Sequence, residues 1–286
     1  MNQSRRIAIV GLILWLSLLS PLAARSLIWQ VDGPQGTVYL MGSIHWLKAS
    51  DYPLDAAFDQ AYRQSAKLYF EADLRAMAKP AASQQLLKRA QYPAGKSLKT
   101  AISPALYRQT QTAAKRLGLK PESLERYKPW FVGMLLTQTQ LARSGYAPEH
   151  GIDNHFNQRA VADRKPIIGF ETLDEQLGFL DGLPDQEGLL RLTLTELDLA
   201  SSEINNLVGA FKRGDATAVE RFIKVLDLSG FEATILSQRS QAWLPKIEAQ
   251  LKRPGTTLVI VGAGHLVGER GLVRLLEARG YRTRQL

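Results

Sequence analysis

Thr256-Thr-Leu-Val-Ile-Val-Gly-Ala-Gly-His265 is the stretch on which the interpretation of the whole chain depends. Its first six residues are β-branched or apolar, which is typical of a buried strand. The glycines that follow let the backbone turn sharply and leave space for a ligand close to the main chain. The stretch therefore predicts a buried strand that ends beside a histidine.

The same arrangement occurs near the start of the chain, where Tyr39-Leu-Met41 runs into Gly42-Ser-Ile-His45. Two further predicted strands end in a glutamate, at Glu71 and Glu171. Open α/β sheets bind ligands outside the carboxyl ends of their strands. If the four strands are parallel, both histidines and both glutamates face one crevice.

The order of the predicted elements indicates an α/β fold. Strands are expected at 27–31, 37–42, 67–71, 165–171, 256–261 and 281–286, and helices at 53–66, 104–118, 121–145, 151–164, across much of 173–252, and at 269–279. We expect a central, mostly parallel or mixed sheet with an active-site crevice at the strand ends, and a large all-helical middle section.

The N-terminus has the pattern of a secretory signal peptide. Arg5 and Arg6 are followed by an almost wholly apolar run at 7–19 and by the small residues Ala23 and Ala24. The run is shorter than the roughly 17–25 residues of a membrane-spanning helix. We expect an exported, periplasmic protein with a cleaved signal peptide at 1–24 and a single α/β domain at 25–286. A retained anchor and twin-arginine export are the alternatives.

Composition narrows the possible partners and chemistry. There is no cysteine, which excludes disulfides, thiol catalysis and a Cys-ligated metal. The formal charge of +9 falls to +7 without Arg5 and Arg6, and its lysines and arginines are scattered rather than clustered with aromatic residues. We therefore expect no nucleic-acid partner and no stable membrane span after signal cleavage. No sequence signal indicates an oligomeric state.

Imidazoles and carboxylates are the usual ligands of a catalytic divalent ion. His45, His265 and Glu71 form one such set, with Glu171 left as a base or a supporting group. An ion held there would lower the pKa of bound water, and a carboxylate would move protons. The alternatives are that the histidines are hydrogen-bonded packing residues and that the glutamates are surface carboxylates or helix caps.

Other catalytic motifs are poor fits. Gly262, Gly264 and Gly268 approach a dinucleotide-binding fingerprint, but the third glycine is one residue late and too little chain follows. The chain has no Gly-x-Ser-x-Gly nucleophile elbow and no His-Glu-x-x-His zinc motif. Ordinary serine hydrolases and zincin proteases therefore fit the sequence poorly.

The motifs resemble, in their order, those of the TraB/GumN family, whose wider relatives include the Tiki metalloproteases. The resemblance runs from about Leu27 to Leu286, and its most specific piece is the final Gly-Ala-Gly-His-Leu block. The matching segments are Leu40-Met-Gly-Ser-Ile-His45, Phe70-Glu71-Ala-Asp73, Gly151-Ile-Asp153 with Arg159-Ala160, Gly169-Phe-Glu171-Thr172 with Gln176, and Val261-Gly-Ala-Gly-His-Leu266 with Gly268 and Gly271-Leu272.

The resemblance implies a metal-dependent, protease-like hydrolase. In Tiki-type members the active site is assigned to two Gly-x-x-His motifs and one glutamate, which correspond here to the motifs ending at His45 and His265 and to Glu71. Gly42, Gly262 and Gly264 belong to these motifs.

Glu171 and Arg239 are further catalytic candidates, and Asp153 is a supporting one. Family members often carry Arg-Asn in the late helix, whereas this chain has Arg239-Ser240. Arg239 is therefore either a stabiliser of developing negative charge or an ordinary residue of a surface helix.

The leading functional hypothesis is a periplasmic metallohydrolase that cleaves peptide or protein substrates. Mn²⁺, Co²⁺ or Zn²⁺ would be held by His45, His265 and Glu71. One alternative is a metal-free esterase with His45 as the general base. Another is a non-catalytic periplasmic accessory protein that binds a metal or haem.

Export is testable in a Gram-negative host. We expect the chain in the periplasm with its mass reduced by residues 1–24, because the apolar run should be recognised and cleaved near Ala24. Mass spectrometry of the periplasmic fraction measures this. The control Leu14→Arg interrupts the apolar run and should leave the full-length chain in the cytoplasm. Recovery of the uncleaved parent chain with membranes would contradict the prediction.

Overall fold

Six strands form one mixed sheet in the computed structural model, which describes residues 26–197, 199–225 and 232–286. The expected signal peptide lies outside the described residues. The strands are β1 (Ile28–Asp32), β2 (Gly36–Ser43), β3 (Lys67–Ala72), β4 (Ile167–Glu171), β5 (Gly255–Gly262) and β6 (Arg282–Gln285). Their order across the sheet is β4-β3-β5-β2-β1-β6.

The four strands next to the predicted site are parallel. β3 pairs in parallel with both β4 and β5, and β5 pairs in parallel with β2. β1 runs antiparallel to β2 and to β6, so the sheet is mixed. This confirms the expected α/β class and the mostly parallel centre. The carboxyl ends of β2, β3, β4 and β5 lie at one edge.

Helices cover the sheet and form most of the middle of the chain. They are α1 (Ala56–Gln64), α2 (Leu74–Met77), α3 (Pro80–Ala90), α4 (Leu98–Ala101), α5 (Pro104–Arg116), α6 (Pro129–Arg143), α7 (Ile152–Ala162), α8 (Leu173–Asp181), α9 (Gln186–Glu196), α10 (Ala200–Lys212), α11 (Ala216–Val225), α12 (Gln238–Leu251) and α13 (Leu272–Glu277). Short 3₁₀ turns occupy Ala49–Asp51, Pro121–Leu124, Pro148–His150 and Ala263–His265, and Glu232–Ser237 is a π-helix.

The main core lies around β5 and β2. The side chains of Leu258, Val259, Ile260 and Val261 are fully buried, as expected for a central parallel strand that is covered on both faces. The helical middle has a second apolar cluster of its own, to which α5, α6 and α9 contribute. A helical middle section was predicted, and the structure has it.

The predicted helix at 121–145 is wrong in one respect, because the structure divides it in two. A 3₁₀ turn ends at Leu124, and α6 begins only at Pro129. Proline disfavours helical backbone in the residue before it, and Lys128 is extended with ψ 155°. Pro129 has no N–H to bond and therefore starts the new helix at its first position.

The start of α7 is fixed by the first Gly-x-x-His segment. The Ile152 N–H donates to the Ile44 carbonyl at 3.1 Å. A Cβ atom on Gly151 would lie 2.2 Å from the His45 carbonyl oxygen, so only glycine allows this approach. The first turn of α7, with Asp153, is thereby held against His45.

Within the described residues, no helix has both the length and the apolar character needed to cross a membrane.

Candidate functional site

The strand register brings the two Gly-x-x-His motifs together. Ser43 of β2 is paired with Gly262 of β5, so His45 and His265 both lie just beyond this pair, at the same edge of the sheet. Gly42 is the penultimate residue of β2, and Gly264 lies in the 3₁₀ turn that ends at His265. Parallel strand pairing therefore brings to one edge two histidines that are 220 positions apart in the sequence.

The two glutamates reach this edge from β3 and β4, where Ala72 is paired with Glu171. Glu71 extends towards β5 and accepts the Gly262 N–H on Oε1 at 2.7 Å. A Cβ atom on Gly262 would lie 3.2 Å from that oxygen, so glycine gives the carboxylate close access to the backbone. The carboxylate and the second motif are thus joined directly.

Arg239 of α12 lies between the two carboxylates. Its Nη2 donates to Glu71 Oε2 at 2.6 Å and to Glu171 Oε2 at 2.8 Å, and its Nε donates to Glu171 Oε1 at 2.9 Å. Nη1 donates to the Ile235 carbonyl at 3.2 Å. Arg239 is only 6% exposed, so it is a buried counter-ion and not a surface-helix residue.

Trp243, one turn along α12, supports this cluster. Its indole N–H donates to Glu171 Oε1 at 2.8 Å, and its ring lies 4.4 Å from the His265 ring and stacks on Phe170. The Arg239 guanidinium lies over the same indole at 4.9 Å. The buried aromatic rings beside the ion cluster limit its contact with water and strengthen its electrostatic interactions.

His265 is a buried member of the site, with 2% of its surface exposed. Its Nδ1 lies 3.0 Å from Ser240 Oγ, and its Nε2 lies 3.4 Å from Arg239 Nη1. Because a guanidinium only donates, we assign the ring proton to Nδ1 and the acceptor lone pair to Nε2. His265 is therefore held as one tautomer by two residues of α12.

His45 is the exposed member, with 61% of its side chain accessible. Its Nδ1 lies 2.7 Å from Asp153 Oδ2, and the hydroxyl of buried Ser43 donates to the same oxygen. An ionised carboxylate accepts only, so Nδ1 carries the proton. Within the described chain, His45 Nε2 makes no hydrogen bond and faces solvent. A carboxylate that orients an imidazole in this way is common to metal ligands and catalytic bases.

The two histidines are shifted in opposite directions. The Asp153 carboxylate raises the pKa of His45 from 6.5 to about 9, while burial lowers the pKa of His265 to about 3. Solvent screens the first effect because His45 is mostly exposed. His45 is therefore the solvent-accessible imidazole that titrates above its usual pKa, and His265 stays neutral at neutral pH.

Glu71 stays ionised. Burial alone would raise its pKa, but His265, the Arg239 guanidinium and the Gly262 N–H outweigh burial and hold the pKa of Glu71 below its usual range. Burial would in turn lower the pKa of Arg239, and Glu71 and Glu171 instead hold it above its usual range. Two carboxylates share one guanidinium, so this buried cluster keeps a net negative charge.

The residues expected to hold a metal ion provide suitable donors, and two of these donors lie close together. His265 Nε2 and Glu71 Oε1 are 3.7 Å apart, a separation that two ligands of one ion can have. However, Arg239 Nη2 donates a hydrogen bond to Glu71, and Arg239 Nη1 lies 3.4 Å from His265 Nε2. Within the described ranges, no group of three or more His, Asp or Glu side chains is placed to hold an ion. A guanidinium supplies the positive charge instead.

Sequence reasoning missed three site residues, Ser43, Ser240 and Trp243. Ser43 lies inside the first motif, and its hydroxyl was not considered. Ser240 occupies the position at which the chain departs from the family pattern, and its hydroxyl holds His265. Trp243 follows Arg239 by four residues and is therefore on the same helix face. This spacing predicts that Trp243 lies beside Arg239 if Arg239 belongs to the site.

The chain is an α/β protein with a mixed sheet. The parallel strands of this sheet end in two Gly-x-x-His motifs and two glutamates. The chain belongs to the TraB/PrgY/gumN family, whose sequence profile matches residues 27–285. This confirms the resemblance found from the motifs.

Three similar curated proteins are described as uncharacterized. The protein YbaP of Escherichia coli (strain K12) is 28% identical over 244 residues, covering 83% of this chain and 87% of YbaP. YbaP of Shigella flexneri matches equally, and a protein of Treponema pallidum (strain Nichols) is 25% identical over 274 residues, covering 88% of this chain and 80% of its own. No solved structure matches.

Removing the buried guanidinium should be strongly destabilising. Arg239→Leu should lower the free energy of unfolding by about 3–5 kcal/mol at pH 7, because Glu71 and Glu171 would be buried without a counter-charge. In the parent, Glu71 stabilises the fold above its unfolded pKa of about 4.3 and loses this effect as the pH falls through its lower folded pKa. In the variant the free energy of unfolding should instead rise as the pH falls, since protonation removes uncompensated negative charge.

Urea unfolding at pH 7 and pH 5 measures both effects. The control Arg270→Leu breaks an exposed pair with Glu232 and should cost less than about 1 kcal/mol. An equal and small decrease in the free energy of unfolding in both variants would show that the buried cluster does not depend on Arg239.

The pKa of His45 should lie above the usual histidine value of 6.5, and the pKa of His265 should lie below it. NMR should show His45 titrating above 6.5 and His265 neutral down to at least pH 4, and Asp153→Asn should return His45 towards 6.5. His45 therefore stabilises the fold fully below about 6.5 and loses this effect as the pH rises towards 9. His265 reduces stability as the pH falls from about 6.5 towards 3, because only the unfolded chain takes up the proton. A His45 pKa unchanged by Asp153→Asn would refute the pairing.

Proposed function

We propose that the protein is an exported hydrolase, acting on peptide or protein substrates, in which His45 is the reacting group. The observation that carries the proposal is the His45 imidazole, with Nδ1 held by Asp153 and Nε2 without a hydrogen-bond partner among the described residues, at the carboxyl edge of the parallel strands. This edge is where α/β proteins bind ligands. Among the predicted site side chains, His45 is the one that reaches solvent.

In this proposal, neutral His45 acts as a general base. Its Nε2 takes a proton from a water molecule as the water oxygen bonds to the substrate carbonyl carbon, and the same proton passes to the leaving nitrogen or oxygen when that bond breaks. Asp153 stabilises the imidazolium formed between these steps and keeps the ring oriented. The Ser43 hydroxyl donates to the same Asp153 oxygen and helps to hold the carboxylate in place.

The buried cluster positions the site. Glu171 is enclosed by Arg239 and Trp243, which leaves His45 as the better candidate for proton acceptor. The donors of Arg239 are engaged with Glu71, Glu171 and the Ile235 carbonyl, so it acts by holding the glutamates rather than by bonding the substrate. Because the cluster keeps a net negative charge, it does not favour negative charge that develops on a substrate oxygen near Glu71, and its part in the proposal is to hold the strand ends in place.

Metal-dependent hydrolysis is the second candidate. The favouring observation is that both imidazoles are hydrogen-bonded through Nδ1, the support that metal-binding histidines commonly have, and that His265 Nε2 lies 3.7 Å from Glu71 Oε1. His45, His265 and Glu71 would be the ligands of Mn²⁺, Co²⁺ or Zn²⁺. Metal binding by these three residues requires that the Arg239 side chain move away from His265.

Hydrolysis of a peptide and ester library tests the proposal. His45→Gln should lower kcat about 10²–10⁴-fold, because it removes the proton acceptor. Activity should rise with pH through the raised pKa of His45, and Asp153→Asn should reduce the rate and move this rise to lower pH. The control His155→Gln changes a histidine that contacts Tyr52 and lies outside the site, and it should leave kcat within about twofold.

Chelation separates the two candidates. Loss of activity on chelation, with recovery on adding Mn²⁺, Co²⁺ or Zn²⁺, would establish the metal-dependent form. Activity that survives chelation and is lost in His45→Gln would establish the metal-free form. Turnover that persists in His45→Gln would overturn the role of His45 as the reacting group. Stoichiometric ligand binding with no turnover by the parent would overturn the hydrolase proposal.

A further inference from the structure

A cavity of about 640 Å³ lies among the middle helices, and the strand-end site contributes none of its lining residues. It is bordered by α6, α9, α10 and α11. Its walls are mainly apolar, with the side chains of Leu141, Leu189, Leu192, Ile204, Leu207 and Phe222. This volume is within the roughly 300–1,000 Å³ range of small-molecule sites, which are also mostly apolar with a few polar groups.

The charged groups of this cavity are separated along α10. Glu203 lies in the first turn of α10 and Glu196 at the end of α9, while Arg213 follows the last residue of α10. Arg213 is ten positions beyond Glu203 along α10, a rise of about 15 Å. The cavity therefore has an acidic end and a basic end with apolar walls between them.

Two arginines line the cavity and are also exposed to solvent. Arg213 Nη1 lies 3.2 Å from the position of a Cβ atom on Gly209, so its guanidinium folds back over α10. Arg221 lines the same cavity from α11. Neither arginine forms an ion pair with any residue that the structure describes, although Lys212 and Lys224 beside them do. Two guanidiniums are thus available to an anion.

We propose that this cavity binds an anionic amphiphile with a linear alkyl chain. The chain lies along α10 against the leucines, and the head group meets Arg213 and Arg221. Glu196 and Glu203 repel an anionic head at the opposite end, which fixes the orientation of the ligand. Apolar burial supplies affinity at about 25 cal/mol per Å² of surface removed from water. The site is independent of the proposed hydrolase.

Two probes with the same alkyl chain and opposite head-group charges test the proposal. They are dodecanoate and dodecyltrimethylammonium, each used below its micelle-forming concentration. Calorimetry should show one saturable dodecanoate site, with the cationic probe at least tenfold weaker. The double variant Arg213→Glu, Arg221→Glu should weaken dodecanoate at least tenfold. The matched control Arg253→Glu, Arg282→Glu makes the same change in net charge at exposed positions that do not line the cavity and should bind like the parent.

A cavity-filling variant gives a second measurement. Ala218→Phe should abolish binding of both probes while leaving the unfolding temperature within a few degrees of the parent. Equal affinity for both probes, no saturable site, or an equal effect of the two double variants would overturn the proposal. A parent that sediments as a dimer and becomes monomeric in Ala218→Phe would also overturn it, because a second copy would then occupy the cavity.

Discussion

The parallel pairing of β2 with β5 is the constraint on which the rest of the site depends. Hydrogen bonds along the two strands fix Ser43 beside Gly262, and this register places both Gly-x-x-His motifs at one edge. A shift by one residue would turn every side chain of one strand to the opposite face. The buried apolar residues of β5 oppose such a shift, so packing in the core fixes the geometry of a polar site.

Burial of Arg239 is the second determinant. Moving a guanidinium and two carboxylates out of water is unfavourable, and close hydrogen bonds compensate for this only when their geometry is good. Trp243 and Phe170 enclose the cluster and make its charges interact strongly. The cluster links β3, β4 and α12 at the one edge where the parallel strands leave backbone groups free for function.

Equivalent motifs have acquired different environments. His45 is oriented by a carboxylate and faces solvent, whereas His265 is oriented by a hydroxyl and is covered by Trp243. Imidazole chemistry is the same in both, so the difference in pKa arises from exposure and neighbouring charge. The first motif is therefore suited to exchange protons, and the second to hold Glu71 and Arg239 in place.

The sequence by itself determined the α/β class, most of the strands and the family, because apolar runs, glycines and ordered motifs are local signals. It also identified His45, Glu71, Glu171 and His265 as residues of one edge, since strands in parallel pairs end together. It missed the break before Pro129, where one proline outweighed a continuous helical pattern.

Only the tertiary structure decided which histidine is exposed, that Arg239 is buried between two carboxylates, and that Ser43, Ser240 and Trp243 support the site. These properties depend on contacts between α7, α12 and the strand ends, which come from distant parts of the chain. Burial and neighbouring charge are set by what packs around a residue, and no local pattern of amino acids contains that information.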